Sequence, residues 1–589
     1  MATDAKLNYD RKQKALALLQ RKRFKEALEI LERVSKTNRE DMEAWILQAQ
    51  INAQLGNPSK VEKCCREIIR INPNSHDAHF HLGSALMFQN RGGEAFDVFR
   101  AAVLLNPNHG LTHFNLGVLS KSLDEAIEHF NRAAELNPAH AEAYCGIGAA
   151  LVSFGQVDEA ISKLQHALQL RPTDHKIHSS VLFTLNYRQN YDGPDVFKEH
   201  ARWGLGHALN TTFRHINTPQ PVRRLRIGYV SPDLYTHSVA YFFEPLLAKH
   251  NPDEVEIFCY SDVAKPDDTT ERLKALATHW RATYGISDRE LADRIHSDQI
   301  DILVDLTGHT NNNRLLVFSA KPAPVQVTYL GYPNTTGLTA IDYRLTDAWA
   351  DPPGLSDDYY TEELFRLPKG FLSYLPPADA PAVSASPVTT AGHVTYGSFN
   401  HLPKITQAVV ELWATLLHAT PNARLVLKNN SLSSRYARER YLQLFADNGI
   451  GPERIEFLER APSLAAHLNS YSKIDIALDT FPYNGTTTTC EALYMGVPVV
   501  TLTGDLHASR VGSSLLNQIG AVELIAETPQ DYVHKASGLA QDHDELTRTR
   551  ATLRDRMTRS PLCDGKGFAV QLESAYREMW KRWCQTKSA

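Results

Sequence analysis

The sequence predicts a multidomain chain: an all-α repeat superhelix followed by an α/β region of two doubly wound halves. Three observations carry that prediction. Pro73, Pro107, Pro138 and Pro172 recur at intervals of 34, 31 and 34 residues. From residue 224 onward β-rich apolar runs alternate with helical stretches, and a Pro/Ala-rich segment, 375–392, divides that series into two of similar size. At 589 residues, and roughly 100–200 residues per domain, three or four domains are expected. Hydrophobic residues make up 43% and charged residues 22%, which excludes a disordered or fibrous polymer. The net charge of −5 supplies no field for a polyphosphate backbone, so nucleic acid is excluded as a main partner. The seven cysteines are odd in number and form no CxxC pair, so reduced thiols are expected. The opening residues lack an apolar core segment and no run of 18 apolar residues occurs, which predicts a soluble, intracellular chain with no membrane partner.

Each of the four prolines closes a similar phrase (INPNS, LNPNH, LNPAH, LRPTD), and a period near 34 is the tetratricopeptide signature. Five repeats follow, at 8–41, 42–75, 76–109, 110–140 and 141–174. Leu82, Gly83, Ala95, Phe99 and Ala102 hold the core positions in one, and Ile147, Gly148, Ala160, Leu164 and Ala167 in another. Small residues belong where the two helices of a repeat cross, and large ones fill the groove. The repeat at 110–140 is three residues short yet keeps Leu116, Gly117, Ala126, Phe130 and Ala133, so the loss is expected in the turn between its helices. The concave surface of such an array suits protein partners. Residues 175–222 read as capping helices plus a linker.

The runs RLRIGYVS (224–231), VEIFCYS (255–261), IDILVDLTG (300–308) and VQVTYLGYP (325–333) read as buried strands of a lobe at 223–385. HVTYGSF (393–399), ARLVLK (423–428), RIEFLE (454–459), IDIALDTFP (474–482) and VPVVTLTG (497–504) do the same for a second lobe at 386–589, which ends in a terminal helix. Stretches such as TTERLKALATHWRA and AVVELWATLLHAT between them read as helices, and that alternation means parallel sheets. Two such lobes facing across a cleft resemble the architecture of many nucleotide-sugar-binding enzymes, and ligands of such sheets bind outside the carboxyl ends of the strands.

In DTFPYNGTTTTCEALYMGVPVV (479–500) a strand ends at Asp479, a Pro-Tyr-Asn-Gly turn follows, and Thr486, Thr487, Thr488 and Thr489 lead into a helix. Unpaired N–H groups and the dipole at a helix start favour an anion, here a pyrophosphate, and four threonines exceed what capping requires. Glu491, read on the first turn, suits ribose hydroxyls. FNHLPKIT (399–406) brings Lys404 to the same mouth, where it can neutralise a departing diphosphate. His237, beyond the first strand, suits a base toward an acceptor hydroxyl or a sugar anchor. Asp305, His309 and Asn334 follow other strand ends and are expected to face the cleft. The one DxD, at Asp542–Asp544, lies far from the strand ends, and no metal site is predicted. GxxxxGK[ST], GxSxG and HExxH are absent, which removes P-loop, serine-hydrolase and zincin readings.

With tetratricopeptide repeats upstream, the segments RLRIGYVSPDLYTHSV, DILVDLTGHTNNN, KPAPVQVTYLGYPNTTG, GSFNHLPKIT, DTFPYNGTTTTCEALYMGVP and SRVGSSLL resemble the O-GlcNAc transferase family of glycosyltransferases. The tail SPLCDGKGFAVQLESAYREMWKRWC is similar to its protein O-fucosyltransferase branch. The resemblance covers about 8–585 and implies an inverting, metal-independent GT-B enzyme that glycosylates Ser and Thr hydroxyls of cytoplasmic and nuclear proteins. It implies a donor-diphosphate role for Lys404, Thr487 and Thr488, a ribose role for Glu491, a base contact for His467 and an active-site role for His237. Asn400, His401, Asn484, Gly485, Thr486 and Thr489 complete the expected nucleotide-sugar site. Two departures fall in the nucleotide pocket. PSLAAH lacks the family's uridine-binding lysine, and NGTTTT puts Thr486 where the family has a phosphate-side histidine, changes that fit a replacement of uracil by guanine. The expected donor is therefore GDP-fucose, with UDP-GlcNAc second; a repeat scaffold with a decayed catalytic half is the rival of another class. Relatives also imply pairing of two copies through the repeats.

Overall fold

The structure, a computed structural model, describes residues 2–189, 192–209 and 213–588, with side chains for those between 6 and 587. The chain divides into two compact units, Met1–Ala150 and Leu151–Ala589. Among the described residues no helix is long and apolar enough to cross a membrane.

The first unit is built of antiparallel helix pairs: Ala2–Gln20 with Phe24–Thr37, Met42–Gln54 with Pro58–Ile71, His76–Phe88 with Gly92–Leu105, and Gly110–Leu119 with Leu123–Leu136. The core positions predicted from the period are buried, among them Leu82, Ala95, Phe99, Leu116, Phe130 and Ala133. A methyl group on Gly83 would stand 2.8 Å from the Phe99 ring, so that helix crossing requires glycine. The short repeat corrects the expectation about its turn. Three residues still separate its helices, Ser120 to Ser122, whereas its first helix has 10 residues against 13 for Met42–Gln54 and His76–Phe88. The deletion removed most of a helical turn, and Ser120 closes the shortened end through its N–H to the Leu116 carbonyl and its hydroxyl to Glu125 (2.6 Å).

The second unit holds two parallel sheets. The first contains β1 Leu225–Ser231, β2 Val255–Ser261, β3 His279–Ala282, β4 Ile302–Asp305, β5 Val325–Thr328, β6 Tyr343–Asp347 and β7 Glu363–Leu367, in the order β3-β2-β1-β4-β5-β6-β7. The second contains β8 Thr395–Ser398, β9 Arg424–Lys428, β10 Ile455–Leu458, β11 Ile476–Leu478, β12 Val499–Leu502 and β13 Ile525–Ala526, in the order β10-β9-β8-β11-β12-β13. Each strand run expected from the sequence contains one of these strands. The stretch read as helix across 269–282 instead stops at Leu276 and passes into β3, which pairs in parallel with β2.

In each sheet the strand order reverses between two central neighbours, β1 and β4 in the first, β8 and β11 in the second. A crevice opens at such a switch point beyond the carboxyl ends. The carboxyl ends of these four strands and the loops after them carry His237, Asp305 and His309, Asn400 and Lys404, and the threonine run.

Two expected boundaries need correction. The terminal helix, Gly565–Ser588, belongs with the first sheet: Tyr576 meets Tyr229 of β1 (3.2 Å between hydroxyls), Phe568 stacks on Tyr329, and Glu573 bonds His250 (2.9 Å). Buried Trp580 adds an indole N–H to the Gln220 carbonyl (2.9 Å). Nor is 175–222 only cap and linker. Helices His175–Leu185 and Gly193–His207 are packed into the first lobe, with His200 on the Tyr332 hydroxyl (2.7 Å) and Ser179 on His309 (3.0 Å). Residues 190–191 and 210–212 of that segment lie outside the described residues.

Candidate functional site

The loop after β11 is organised by a buried carboxylate. Asp479 accepts hydrogen bonds from the N–H groups of Thr480 (2.9 Å) and Gly485 (2.6 Å), the Thr501 hydroxyl (2.8 Å) and the Asn400 amide (3.3 Å). Burial raises its pKa to about 6 against those bonds and the charge of Lys404. Gly485 is needed because a methyl group there would lie 2.8 Å from oxygens of Asn400, Thr488 and Thr489. Asn484 is fully buried and braces the loop, donating to the Thr480 carbonyl (2.8 Å) and accepting from the Gly512 N–H (3.2 Å).

Thr486 is the N-cap residue of helix Thr487–Tyr494, whose first-turn N–H groups have no intrahelical acceptor. The four threonines divide their work. Thr489 is buried, Thr488 spends its hydroxyl proton on Asn400 Oδ1 (2.5 Å), and Thr486 and Thr487 are partly exposed. Because the helix starts at Thr487, Glu491 falls on its second turn and not, as expected, its first.

Lys404 follows β8 in a short turn, Leu402–Lys404. Its ammonium donates to the Asn484 carbonyl (2.7 Å) and stands 3.8 Å from the centre of the Tyr483 ring. Burial pulls its pKa down to about 8, opposed by Asp479. Tyr187, directly beyond helix His175–Leu185, stacks on Tyr483 at 5.2 Å and 21°. His401 lies on the exposed side of the same turn.

On the second turn of helix Thr487–Tyr494, Glu491 Oε2 accepts from His467 Nε2 (2.9 Å) and from the Tyr471 hydroxyl (3.1 Å). Lys428, the last residue of β9, donates to His467 Nδ1 (2.6 Å). An ammonium can only donate, so Nδ1 is the acceptor and the imidazole proton sits on Nε2. Both ring nitrogens of His467 are thus engaged within the protein.

In the first lobe the structure corrects three expectations. Asp305 is buried and accepts from the N–H groups of Thr307 (3.0 Å) and Gly308 (2.9 Å) and the Thr328 hydroxyl (2.9 Å); burial raises its pKa to about 6. It holds its own loop as Asp479 holds the other. His309 is buried between Ser179 and the Thr336 carbonyl (2.8 Å), and burial lowers its pKa well below the ordinary imidazole range. Asn334 donates to Asn186 (3.1 Å) while Arg344 clamps the carbonyls of Tyr332 (2.9 Å) and Asn334 (2.8 Å). All three residues shape the walls of the crevice from behind. His237 is partly exposed and caps helix Ser238–Leu247, its Nδ1 accepting from the Val239 N–H (3.3 Å).

Sequence reasoning missed Lys428, Tyr483, Asn186 and Tyr187, and saw Asp479 only as a strand end. A lysine closing the apolar run ARLVLK at a carboxyl end was a usable signal for Lys428. Nothing local marks Tyr187, whose partner lies almost 300 residues away.

A profile described as Glycosyl transferase family 41 matches residues 164–374 and 389–572, and tetratricopeptide profiles match 12–60, 120–153 and 141–174. The chain is 43% identical over 426 residues to a Petunia hybrida protein named "Probable UDP-N-acetylglucosamine--peptide N-acetylglucosaminyltransferase SPINDLY", covering 71% of this chain and 45% of that one. An Arabidopsis thaliana protein with the same descriptive name but called SEC is 31% identical over 397 residues, covering 65% and 40%. The chain thus spans about half the length of the curated relatives it matches. A solved Thermobaculum terrenum O-GlcNAc transferase mutant is similar along 93% of this chain and 98% of its own, at 37% identity and a TM-score of 0.78. With the family profile spanning most of the chain and both parallel sheets, this chain belongs to glycosyl transferase family 41.

Proposed function

We propose that the chain is an inverting protein O-glycosyltransferase that transfers a sugar from a nucleotide sugar to Ser or Thr hydroxyls of intracellular proteins. The observation that carries the reading is the bond of Lys404 to Asn484, in the loop that leads into helix Thr487–Tyr494, across the β8/β11 switch point. A leaving nucleoside diphosphate placed there meets one ammonium, the first-turn N–H groups and the Thr487 hydroxyl. These stabilise the charge that develops as the anomeric bond breaks, and no divalent cation is needed for that step. Glu491 Oε2 is occupied by His467 and Tyr471, which leaves Oε1 for a ribose hydroxyl. The acceptor hydroxyl attacks the anomeric carbon in one displacement. The cap bond of His237 puts its proton on Nε2, so this side chain offers a donor to a sugar hydroxyl, which supports anchoring over base catalysis. The repeats hold the protein acceptor.

For the donor we propose GDP-fucose, on the altered nucleotide pocket; UDP-GlcNAc is the second reading, favoured by the relatives' names. Intact-mass analysis of a Ser/Thr-rich acceptor incubated with each donor in EDTA tests both. A deoxyhexose increment with GDP-fucose alone is expected. An N-acetylhexosamine increment transfers the assignment to UDP-GlcNAc, and no increment with either donor overturns the transferase reading for that acceptor.

A further inference from the structure

The nucleoside end of the site contains a cation that neither the motifs nor the comparisons assign. Lys428 ends β9 and is almost wholly buried, its Nζ 5.5 Å from the centre of the Phe399 ring. Glu491 is one full helical turn beyond the first threonines, and His467 links it to Lys428, so carboxylate, imidazole and cation form one connected chain that begins a turn away from the helix start. A nucleotide with its pyrophosphate at Thr487 and its ribose on Glu491 lays its base toward His467 and Lys428.

His467 is poorly suited to read that base. Nδ1 accepts from Lys428 and Nε2 donates to Glu491, so a hydrogen bond from the ring edge to a base would break one of these. Lys428 has donors to spare: an ammonium carries three N–H groups, and one goes to His467. We propose that Lys428 reads the base, presenting its other N–H donors to two neighbouring acceptors on one edge of a purine, the O6 and N7 of guanine. Adenine puts an amino group beside N7, and uracil puts C5–H beside O4; neither offers that pair. His467 then orients Lys428 and ties it to Glu491, so base and ribose are recognised by one connected set of charges. This inference rests on the reading of the crevice as a nucleotide-sugar site.

Isothermal titration of the whole chain, without sugar or acceptor, tests it using GDP, IDP, 7-deaza-GDP and UDP against the wild type, Lys428→Met and Lys428→Arg. IDP retains O6 and N7; 7-deaza-GDP lacks N7. In the wild type GDP and IDP are expected to bind alike and 7-deaza-GDP about tenfold more weakly, the scale of losing one member of a paired contact. Lys428→Met is expected to weaken GDP by about tenfold and to bind GDP and 7-deaza-GDP equally, whereas Lys428→Arg keeps the discrimination. An equal 7-deaza penalty in wild type and Lys428→Met, or tighter binding of UDP than of GDP by the wild type, overturns the assignment while leaving the transferase reading intact. Absence of binding by all four nucleotides overturns both. Melting temperatures of the two variants separate lost recognition from lost folding.

Discussion

The Lys404 ammonium is held by one carbonyl and one aromatic ring, and burial brings its pKa down to about 8. Only the protonated form can neutralise a departing diphosphate, so kcat/KM is expected to fall as pH rises through about 8. Lys404→Arg keeps its charge at every accessible pH. That variant is expected to lose activity through altered geometry yet show no decline in this range, which a pH–rate profile of the two proteins checks. Lys404→Ala is expected to cost about 3 kcal/mol in kcat/KM with the melting temperature unchanged. Lys404 and the threonine run were legible in the sequence because each lies within a few residues of a strand end. The surroundings that set the charge state of Lys404 were not. Tyr483 is brought under the ammonium by the loop after β11, and Tyr187 by a helix from before the first sheet. His309 and Asn334 misled for the complementary reason. A polar residue after a strand can turn inward to fasten its loop as readily as outward to meet a ligand, and only tertiary partners decide.

The two loops at the switch points share one construction. Asp305 at the end of β4 takes Thr307 and Gly308 N–H groups and a threonine hydroxyl from β5; Asp479 after β11 takes Thr480 and Gly485 N–H groups and a threonine hydroxyl from β12. Each carboxylate binds its loop to the neighbouring strand and fixes the direction of the chain beyond it. Asp479→Ala leaves several buried donors without an acceptor and is expected to destabilise the protein by about 3 kcal/mol. Donor binding should weaken as well, because the threonine run loses its anchor; thermal unfolding with and without GDP reads both effects. The strand runs themselves were legible, being apolar and bounded by turns. The strands β6, β7 and β13 were not read, and neither was β3, whose polar sequence HWRA gains its place from pairing with β2 rather than from its own pattern.

Over the whole second unit, chain order and spatial order diverge. The first sheet is flanked by helices that precede it, His175–Leu185 and Gly193–His207, and by Gly565–Ser588, which follows the entire second sheet. The division into two lobes could be read from the Pro/Ala-rich break, but the return of the final helix could not, because amphipathic residues do not state which sheet they cover. Trp580→Ala removes a buried indole from that helix and is expected to cost about 3–5 kcal/mol. The loss should appear as earlier exposure of β1 amides in hydrogen exchange, although the substitution lies more than 300 residues downstream. The same arrangement sets a timetable for biosynthesis. After β7 emerges, the ribosome must make the whole second sheet before Tyr576 exists to cover Tyr229, a delay of about 10–40 s at ~5–20 residues per second. During that interval the nascent first sheet exposes an apolar face while attached to a growing chain, and a holdase that shields it is expected to raise the yield of folded protein.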